Sequence, residues 1–141
     1  MLRLIGLENL MEPLRAFGQT KPIFGTCAGA ILLAREVSRP EQPSLALMDI
    51  AVERNAYGRQ LDSRVATIHL EGGVDGGAGG EQMEAVFIRA PIIRKVGPGV
   101  KVLAYYQGNP VWVEQGRHMA TTFHPELGTN LHIHRCFSAA C

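Results

Sequence analysis

Apolar residues recur at helical spacing near the start of the chain and in short runs typical of β-strands farther along. The apolar stripe of the first segment consists of Leu2, Ile5, Leu10, Leu14 and Phe17. This spacing predicts a helix over 7–17, and Pro13 fits the first turn of a helix that starts near Glu12, where the missing amide hydrogen is tolerated. The apolar run 21–25 predicts a buried strand. The Ala-, Leu- and Ile-rich run 28–37 predicts a second helix.

The middle of the chain consists mainly of runs rich in apolar and β-branched residues. They are LALMDIAVERN (45–55), RVATIHLEG (64–72), EAVFIRAP (84–91), KVLAYYQG (101–108), NPVWVEQG (109–116) and HMATTFHP (118–125). Each predicts a strand, and the fifth forms a hairpin with the fourth. The proline-containing segment 38–44 predicts a loop. After Pro125, the run ELGTNLHIHRCF predicts a final helix. This order of elements predicts an α/β sheet protein, with one domain over 1–141.

The segment 72–81, GGVDGGAGGE, is the most glycine-rich part of the chain. Glycine-rich loops can hold phosphate groups at the start of a helix. Here the GxxxxGK[ST] pattern is missing and no helix is predicted behind the segment. The segment therefore predicts a turn or loop rather than a phosphate site.

The composition excludes several classes of function. The 141 residues carry a net charge of +1, and their eleven arginines and three lysines are scattered, which gives no electrostatic case for nucleic acid or an acidic membrane surface. No run approaches the ~20 apolar residues that span a bilayer. Three cysteines, two of them close to the C-terminus, do not form a disulfide framework. We therefore expect a cytoplasmic protein with neither nucleic acid nor membrane as a partner.

Cys27 lies between two glycines, in the segment GTCAG (25–29), where the predicted strand meets the predicted helix. The spacing Gly-x-nucleophile-x-Gly is typical of a tight strand-to-helix turn that presents a nucleophile. The start of the following helix should lower the pKa of the thiol, and the Ala28 N–H is the first candidate donor to an oxyanion. A buried cysteine that acts as a small apolar residue explains the five residues equally well.

His124 is the best candidate for a proton shuttle among the five histidines. It ends a β-like run, and Pro125 stiffens the turn that brings Glu126 close to the imidazole. A carboxylate there can fix the tautomer of the ring, so Cys27, His124 and Glu126 form a candidate triad. His69 and His118 are interpreted as ordinary side chains. His132 and His134, two apart on a helix, point to different faces, so no metal site is expected there.

The segments GTCAG (25–29) and FHPEL (123–127) together resemble the class I, or triad, glutamine amidotransferases. The segments VERNAYGRQLDS (52–63) and FIRAP (87–91) narrow the resemblance to the glutaminase subunits of pyridoxal 5′-phosphate synthase, the PdxT/SNO family. The resemblance extends from about Leu10 to Phe137. It implies a class I glutamine amidotransferase-like (flavodoxin-like) α/β fold, a three-layer sandwich.

The resemblance also implies an activity, the hydrolysis of L-glutamine to glutamate and ammonia. In it, Cys27 would form a glutamyl thioester, His124 would transfer protons and Glu126 would orient His124. Ammonia would pass to a TIM-barrel synthase subunit, and no cofactor is implied for the glutaminase. Arg54, Ile88 and Arg89 correspond to residues that contact glutamine. From the residues alone, Ile88 could equally belong to the core of a strand, and Arg54 could form an ion pair with Glu53 or Asp62.

The chain departs from the family pattern at its beginning. Family members open with a first strand and helix and a PGGES segment, whose glycine-rich loop contributes to the oxyanion hole, and this chain begins after that motif. We expect a fragment, a misassigned start or a degenerate product, with N-terminal strands missing. Because losing an oxyanion donor costs roughly 10²–10³ in turnover, the chain alone should be weak or inactive. The alternatives are a subunit that only docks on the synthase, an amidotransferase of another pathway, and a cysteine peptidase.

Overall fold

The computed structural model describes residues 9–54, 63–71 and 81–140 of the chain. Its helices are α1 (Met11–Thr20), α2 (Ala28–Leu33) and α3 (His132–Ala140), and a 3₁₀ turn spans Pro125–Leu127. The strands are β1 (Phe24–Thr26), β2 (Ala34–Ser38), β3 (Met48–Glu53), β4 (Ser63–Leu70), β5 (Gln82–Ile88), β6 (Ile92–Val96), β7 (Lys101–Tyr106), β8 (Asn109–Gln115) and β9 (His118–Thr121). Within the described residues, no helix has the length and apolar character needed to cross a membrane.

The strands form a large sheet and a small one. The large sheet has the order β1-β9-β8-β7-β4-β5, in which β1 is parallel to β9 and all other neighbours are antiparallel. The small sheet has the order β2-β3-β6, with β2 parallel and β6 antiparallel to β3. The hairpin predicted between residues 101–108 and 109–116 is confirmed as β7 and β8.

The large sheet is the middle layer, with an apolar core on each face. Neighbouring residues of a strand point to opposite faces. Trp112 therefore packs in one core with Ile133 of α3, and Val113 packs in the other with residues of α1, α2 and the small sheet. All the side chains of both core clusters are less than a tenth exposed. The result is a mixed α/β fold in three layers, as the family resemblance implies.

The helix predicted over 28–37 is wrong in its second half. It ends at Leu33, and β2 continues directly from it, pairing with β3 from Ala34 to Ser38. Helix propensity is a weak prior that tertiary contacts override. Here the amides of Leu45 and Leu47 donate to the carbonyls of Leu32 and Leu33, at 2.8 and 3.0 Å, and Val37 is buried in the core.

Other elements differ from their predictions at the boundaries. Helix α1 starts at Met11, so Pro13 lies in its first turn as predicted. The final helix, predicted to start after Pro125, is confirmed only from His132 onward. The 3₁₀ turn Pro125–Leu127 takes the place of its predicted first residues. Strand β6 was not predicted, since its two isoleucines are followed by Arg94 and Lys95. The glycine-rich segment lies almost wholly outside the described residues, at 72–80.

Gly25 allows β1 and α2 to approach each other closely. A Cβ at Gly25 would lie 2.6 Å from both the carbonyl carbon and the oxygen of Gly29, and 2.8 Å from Cδ1 of Leu33. A Cβ at Gly29 would meet no atom of the described residues within 4 Å. The two glycines of the GTCAG segment therefore have different steric constraints: Gly25 has no room for a side chain, whereas Gly29 has.

We expect Gly25→Ala to destabilise the protein by about 1–3 kcal/mol, because overpacking moves backbone as well as side chains. Gly29→Ala is the matched control, and it should be neutral or stabilise α2 by up to about 1 kcal/mol. Urea denaturation followed by circular dichroism measures both effects. Equal losses of stability in the two variants would contradict the steric difference.

His118 is a buried histidine that links the start of β1 to β9. It is only 8% exposed, and its Nδ1 accepts a hydrogen bond from the Ile23 amide at 3.3 Å. Burial lowers its pKa, and the positive charge of Arg117 lowers it further, while a hydrogen bond to the Gly18 backbone acts in the opposite direction. The expectation that His118 is an ordinary side chain therefore misses a structural role.

The lowered pKa of His118 predicts a loss of stability in mild acid. Below the unfolded-state pKa of about 6.5, the unfolded chain binds a proton that the folded chain excludes, so the free energy of unfolding falls as the pH falls. His118→Asn keeps an acceptor for the Ile23 amide and should flatten this dependence. The control is His69→Asn on the exposed face of β4. Urea midpoints between pH 8 and 5 test the prediction, which fails if both variants follow the unsubstituted protein.

Candidate active site at Cys27

Cys27 lies in the sharp turn between β1 and α2. Its backbone angles are φ 49° and ψ −102°, a region that non-glycine residues rarely occupy. Its N–H donates to the carbonyl oxygen of Thr121 at 2.8 Å, which continues the β1–β9 pairing by one residue. Strained residues of this kind cluster at functional sites. The turn that the GTCAG spacing predicts is therefore present at Cys27.

The Cys27 thiol is half-buried and interacts with the end of β5. Its Sγ donates to the carbonyl oxygen of Ile88 at 3.7 Å. Burial raises the pKa of the thiol, and the negative charge of Glu126 raises it further. The Ala28 N–H and the positive charge of Arg89 lower the pKa, but they do not outweigh the burial. The expectation of a lowered thiol pKa is thus wrong, because desolvation exceeds the effect of the short helix α2.

His124 and Glu126 form a hydrogen-bonded pair across the turn that contains Pro125. The distance between His124 Nδ1 and Glu126 Oε1 is 2.7 Å. Burial alone would raise the pKa of the Glu126 carboxyl, but the hydrogen bond from His124 and the charges of His124 and His134 lower it overall. The pairing leaves Nε2 as the imidazole nitrogen that can face a substrate or a thiol.

Backbone hydrogen bonds bring Cys27 and His124 to the same end of the large sheet. Thr121, which accepts from the Cys27 amide, precedes His124 by three residues. The His124 amide donates to the carbonyl oxygen of Val86 at 2.8 Å, two residues before Ile88. In this arrangement the Cys27 thiol bonds to Ile88 rather than to the imidazole. The geometry thus places the thiol, the His124–Glu126 pair and the end of β5 around one junction.

The three candidate substrate-binding residues lie at two strand ends. Ile88 is the last residue of β5, half-buried, and Arg89 follows it, exposed and with φ 41°. Arg54 follows the end of β3, and its amide donates to the Ser38 carbonyl at 3.0 Å. Glu53 forms its ion pairs with Arg39 and Arg94 and not with Arg54, contrary to the alternative considered for Arg54. Asp62, the other partner considered, lies outside the described residues.

The histidines of α3 have separate surroundings. His132 stacks edge-on against Trp112 and lies 3.6 Å from Cys136 Sγ, measured from its Nε2. His134 lies against Phe24 of β1. The two rings therefore occupy different faces of the helix, as their spacing predicts. Among residues 9–54, 63–71 and 81–140, no group of three or more His, Cys, Asp or Glu side chains could hold a metal ion.

Two cavities of about 580 Å³ lie away from Cys27. One is lined by Glu36–Ser38 of β2, residues 41–43 and Ala51 and Val52 of β3. The other lies between the β4–β5 hairpin and the start of α3. Neither is lined by Cys27, His124 or Glu126, so cavity size does not locate the candidate site. The site is identified by its chemistry.

Sequence reasoning missed the two backbone acceptors that hold Cys27 in this site. The carbonyl oxygens of Thr121 and Ile88 act through the backbone, which leaves no trace in side-chain identity. Sequence reasoning also missed the pairing of Glu53 with Arg94, because these residues are 41 positions apart in the chain. In the sequence, only the charge of Glu53 within an apolar strand indicates this pairing, because a buried carboxylate requires a partner.

Comparison with known proteins places these features in one family. The sequence model of the SNO glutamine amidotransferase family matches residues 1–141. The chain is 53% identical over 137 residues to the pyridoxal 5′-phosphate synthase subunit PdxT of Solibacter usitatus (strain Ellin6076), covering 97% of this chain and 71% of that protein. It is 42% identical to the PdxT subunit of Thermotoga neapolitana (strain ATCC 49049 / DSM 4359 / NBRC 107923 / NS-E), again covering 97% and 71%.

A solved structure agrees with the sequence comparisons. The crystal structure of a glutamine amidotransferase superposes with a TM-score of 0.83 and is 40% identical. The match covers 98% of this chain and 71% of that one. Sequence and fold therefore agree, and the chain belongs to the SNO glutamine amidotransferase family.

Proposed function

We propose that this chain is the glutaminase subunit of a pyridoxal 5′-phosphate synthase and hydrolyses L-glutamine to L-glutamate and ammonia. The proposal depends on one observation, the junction at which Cys27 bonds to Thr121 and Ile88 beside the His124–Glu126 pair. Family membership and the PdxT names of the relatives support the choice of glutamine as substrate and of vitamin B6 synthesis as the pathway.

In the first half of the proposed reaction, Cys27 attacks the carboxamide carbon of glutamine. The thiol proton passes to His124 Nε2, while Glu126 holds Nδ1 and stabilises the imidazolium. The Ala28 N–H, which already interacts with the thiol, donates to the oxygen that becomes negative. Collapse of this intermediate breaks the C–N bond, and the proton on His124 leaves with ammonia.

The second half hydrolyses the glutamyl thioester. His124 removes a proton from water, the resulting hydroxide attacks the thioester carbon, and the C–S bond breaks. The proton then returns to the Cys27 sulfur and glutamate is released. The lowered pKa of Glu126 keeps its carboxylate charged at neutral pH, as this role requires.

Arg54, Ile88 and Arg89 are the proposed substrate-binding residues. A guanidinium matches the α-carboxylate of glutamine because its planar donors can bind both oxygens. Ile88 accepts a hydrogen bond from the Cys27 thiol with its carbonyl oxygen, and the positive charge of Arg89 acts on the pKa of that thiol.

The proposed partner is the TIM-barrel synthase subunit, which receives the ammonia. The raised thiol pKa and the bond from Cys27 to Ile88 describe a protonated resting nucleophile. A protonated thiol supports the proposal that the chain alone is a slow glutaminase and that the synthase subunit activates it in the complex. The reaction needs a reduced thiol, so we place it in the cytoplasm.

Cys27→Ala should reduce ammonia release from glutamine at least about 10³-fold, since the covalent intermediate cannot form. Cys136→Ala removes another half-buried thiol and is the matched control, with activity expected near that of the unsubstituted chain. A coupled ammonia assay, run with and without the synthase subunit, provides the measurement. Retained turnover in Cys27→Ala would overturn the proposed function.

Glu126→Gln should separate catalysis from thiol reactivity. It removes a negative charge that raises the Cys27 pKa, so alkylation of Cys27 by iodoacetamide should shift to lower pH. Glutaminase activity should nevertheless fall by about 10²–10⁴-fold, because His124 loses the group that orients it.

Arg89→Gln provides the matched opposite change. It removes a positive charge that lowers the Cys27 pKa, so its alkylation profile should shift to higher pH. Mass spectrometry of the peptide containing Cys27 follows both profiles. Shifts in the same direction for the two variants would contradict the electrostatic assignment.

A further inference from the structure

Glu53 is a buried acid that two arginines share. It is 7% exposed, its Oε2 accepts a hydrogen bond from Arg94 Nε at 2.7 Å, and its Oε1 lies 3.2 Å from Arg39 Nη1. The hydrogen bond from Arg94 and the charges of both arginines lower the pKa of the carboxyl. A buried carboxylate is destabilising unless it is paired, so this group must be held in place by its partners.

The cluster joins all three strands of the small sheet. Glu53 on β3 lies opposite Ser38 of β2 and Ile92 of β6. The β3–β6 register shifts by one residue between Ala51 and Val52, which leaves Arg94 without an opposite residue. Bulges of this kind re-aim side chains and occur next to active sites. The register shift thus accompanies the contact between Arg94 and Glu53.

The same strand ends lead to the proposed substrate-binding residues. Arg54 directly follows Glu53, and its amide donates to Ser38. On β6, Ile92 comes three residues after Arg89, so the two lie within about 11 Å of each other along the chain. The Glu53 cluster therefore sits where the segment ending in Arg54 meets the segment that carries Ile88 and Arg89.

We propose that Glu53 is a positioning residue for the substrate, which acts through Arg94 and Arg39 to fix Arg54 relative to Ile88 and Arg89. This inference rests on the proposed function, which assigns those three residues to glutamine binding. Glu53 itself touches neither the substrate nor the reacting atoms. Its loss should therefore weaken substrate binding and leave the chemical steps at Cys27 and His124 largely intact.

Glu53→Gln, assayed with the full chain and the synthase subunit, should raise the KM for L-glutamine about tenfold and change kcat less than about twofold. Glu114→Gln is the matched control, since it removes the charge of another cross-strand ion pair, Lys101–Glu114, on β7 and β8. It should leave both constants unchanged. Thermal melting of each variant shows whether a loss of stability accompanies the change in KM.

Substitutions of Arg94 keep the test decisive if Glu53→Gln does not fold. Arg94→Met removes the charge and the hydrogen bond, whereas Arg94→Lys keeps the charge, so the KM of the lysine variant should lie between those of Arg94→Met and the unsubstituted chain. A lowered melting temperature with an unchanged KM would overturn the inference, as would a loss confined to kcat. Absence of ammonia release from the unsubstituted complex would overturn the proposed function, and this assignment with it.

Discussion

The parallel pairing of β1 with β9 is the constraint on which the site depends. It places Cys27, at the end of one strand, beside Thr121, at the end of the other, although 94 positions separate them. His124 then follows Thr121 by three residues, and its amide bonds to β5. Because these contacts are backbone hydrogen bonds and every residue of β9 is buried, the relative positions of Cys27 and His124 along the backbone are set by the fold.

Burial raises the pKa of both Cys27 and Glu126, but their partners shift the two groups in opposite directions overall. The Cys27 thiol loses solvent, and the Ala28 amide and the Arg89 charge do not compensate for this loss, so its protonated form is favoured. Glu126 is more exposed and has His124 as a direct partner, so its ionised form is favoured. The candidate site therefore combines a charged carboxylate with a neutral thiol, which is the state that the proposed transfer of the thiol proton to the imidazole requires.

Much of the strand content could be predicted from alternation, and the candidate site could be predicted from the GTCAG and FHPEL segments. The parts that sequence did not predict depend on contacts distant in the chain. The helix starting at Ala28 stops early because the loop at Leu45 and Leu47 bonds to its last carbonyls. The direction of the Cys27 pKa depends on how deeply the thiol is buried, which five residues of sequence do not specify. Strand β6 depends on its partner β3, since two of its own five residues are charged.

Trp112 provides a physical consequence of the layered architecture. It is the only tryptophan of the chain, it is fully buried, and it lies opposite Thr121 while its ring meets His132 edge-on. Its backbone thus pairs with the strand next to β1, and its indole contacts the helix that covers the sheet. Tryptophan fluorescence therefore comes from a single residue at this contact, and a red shift of its emission would register the separation of α3 from the large sheet.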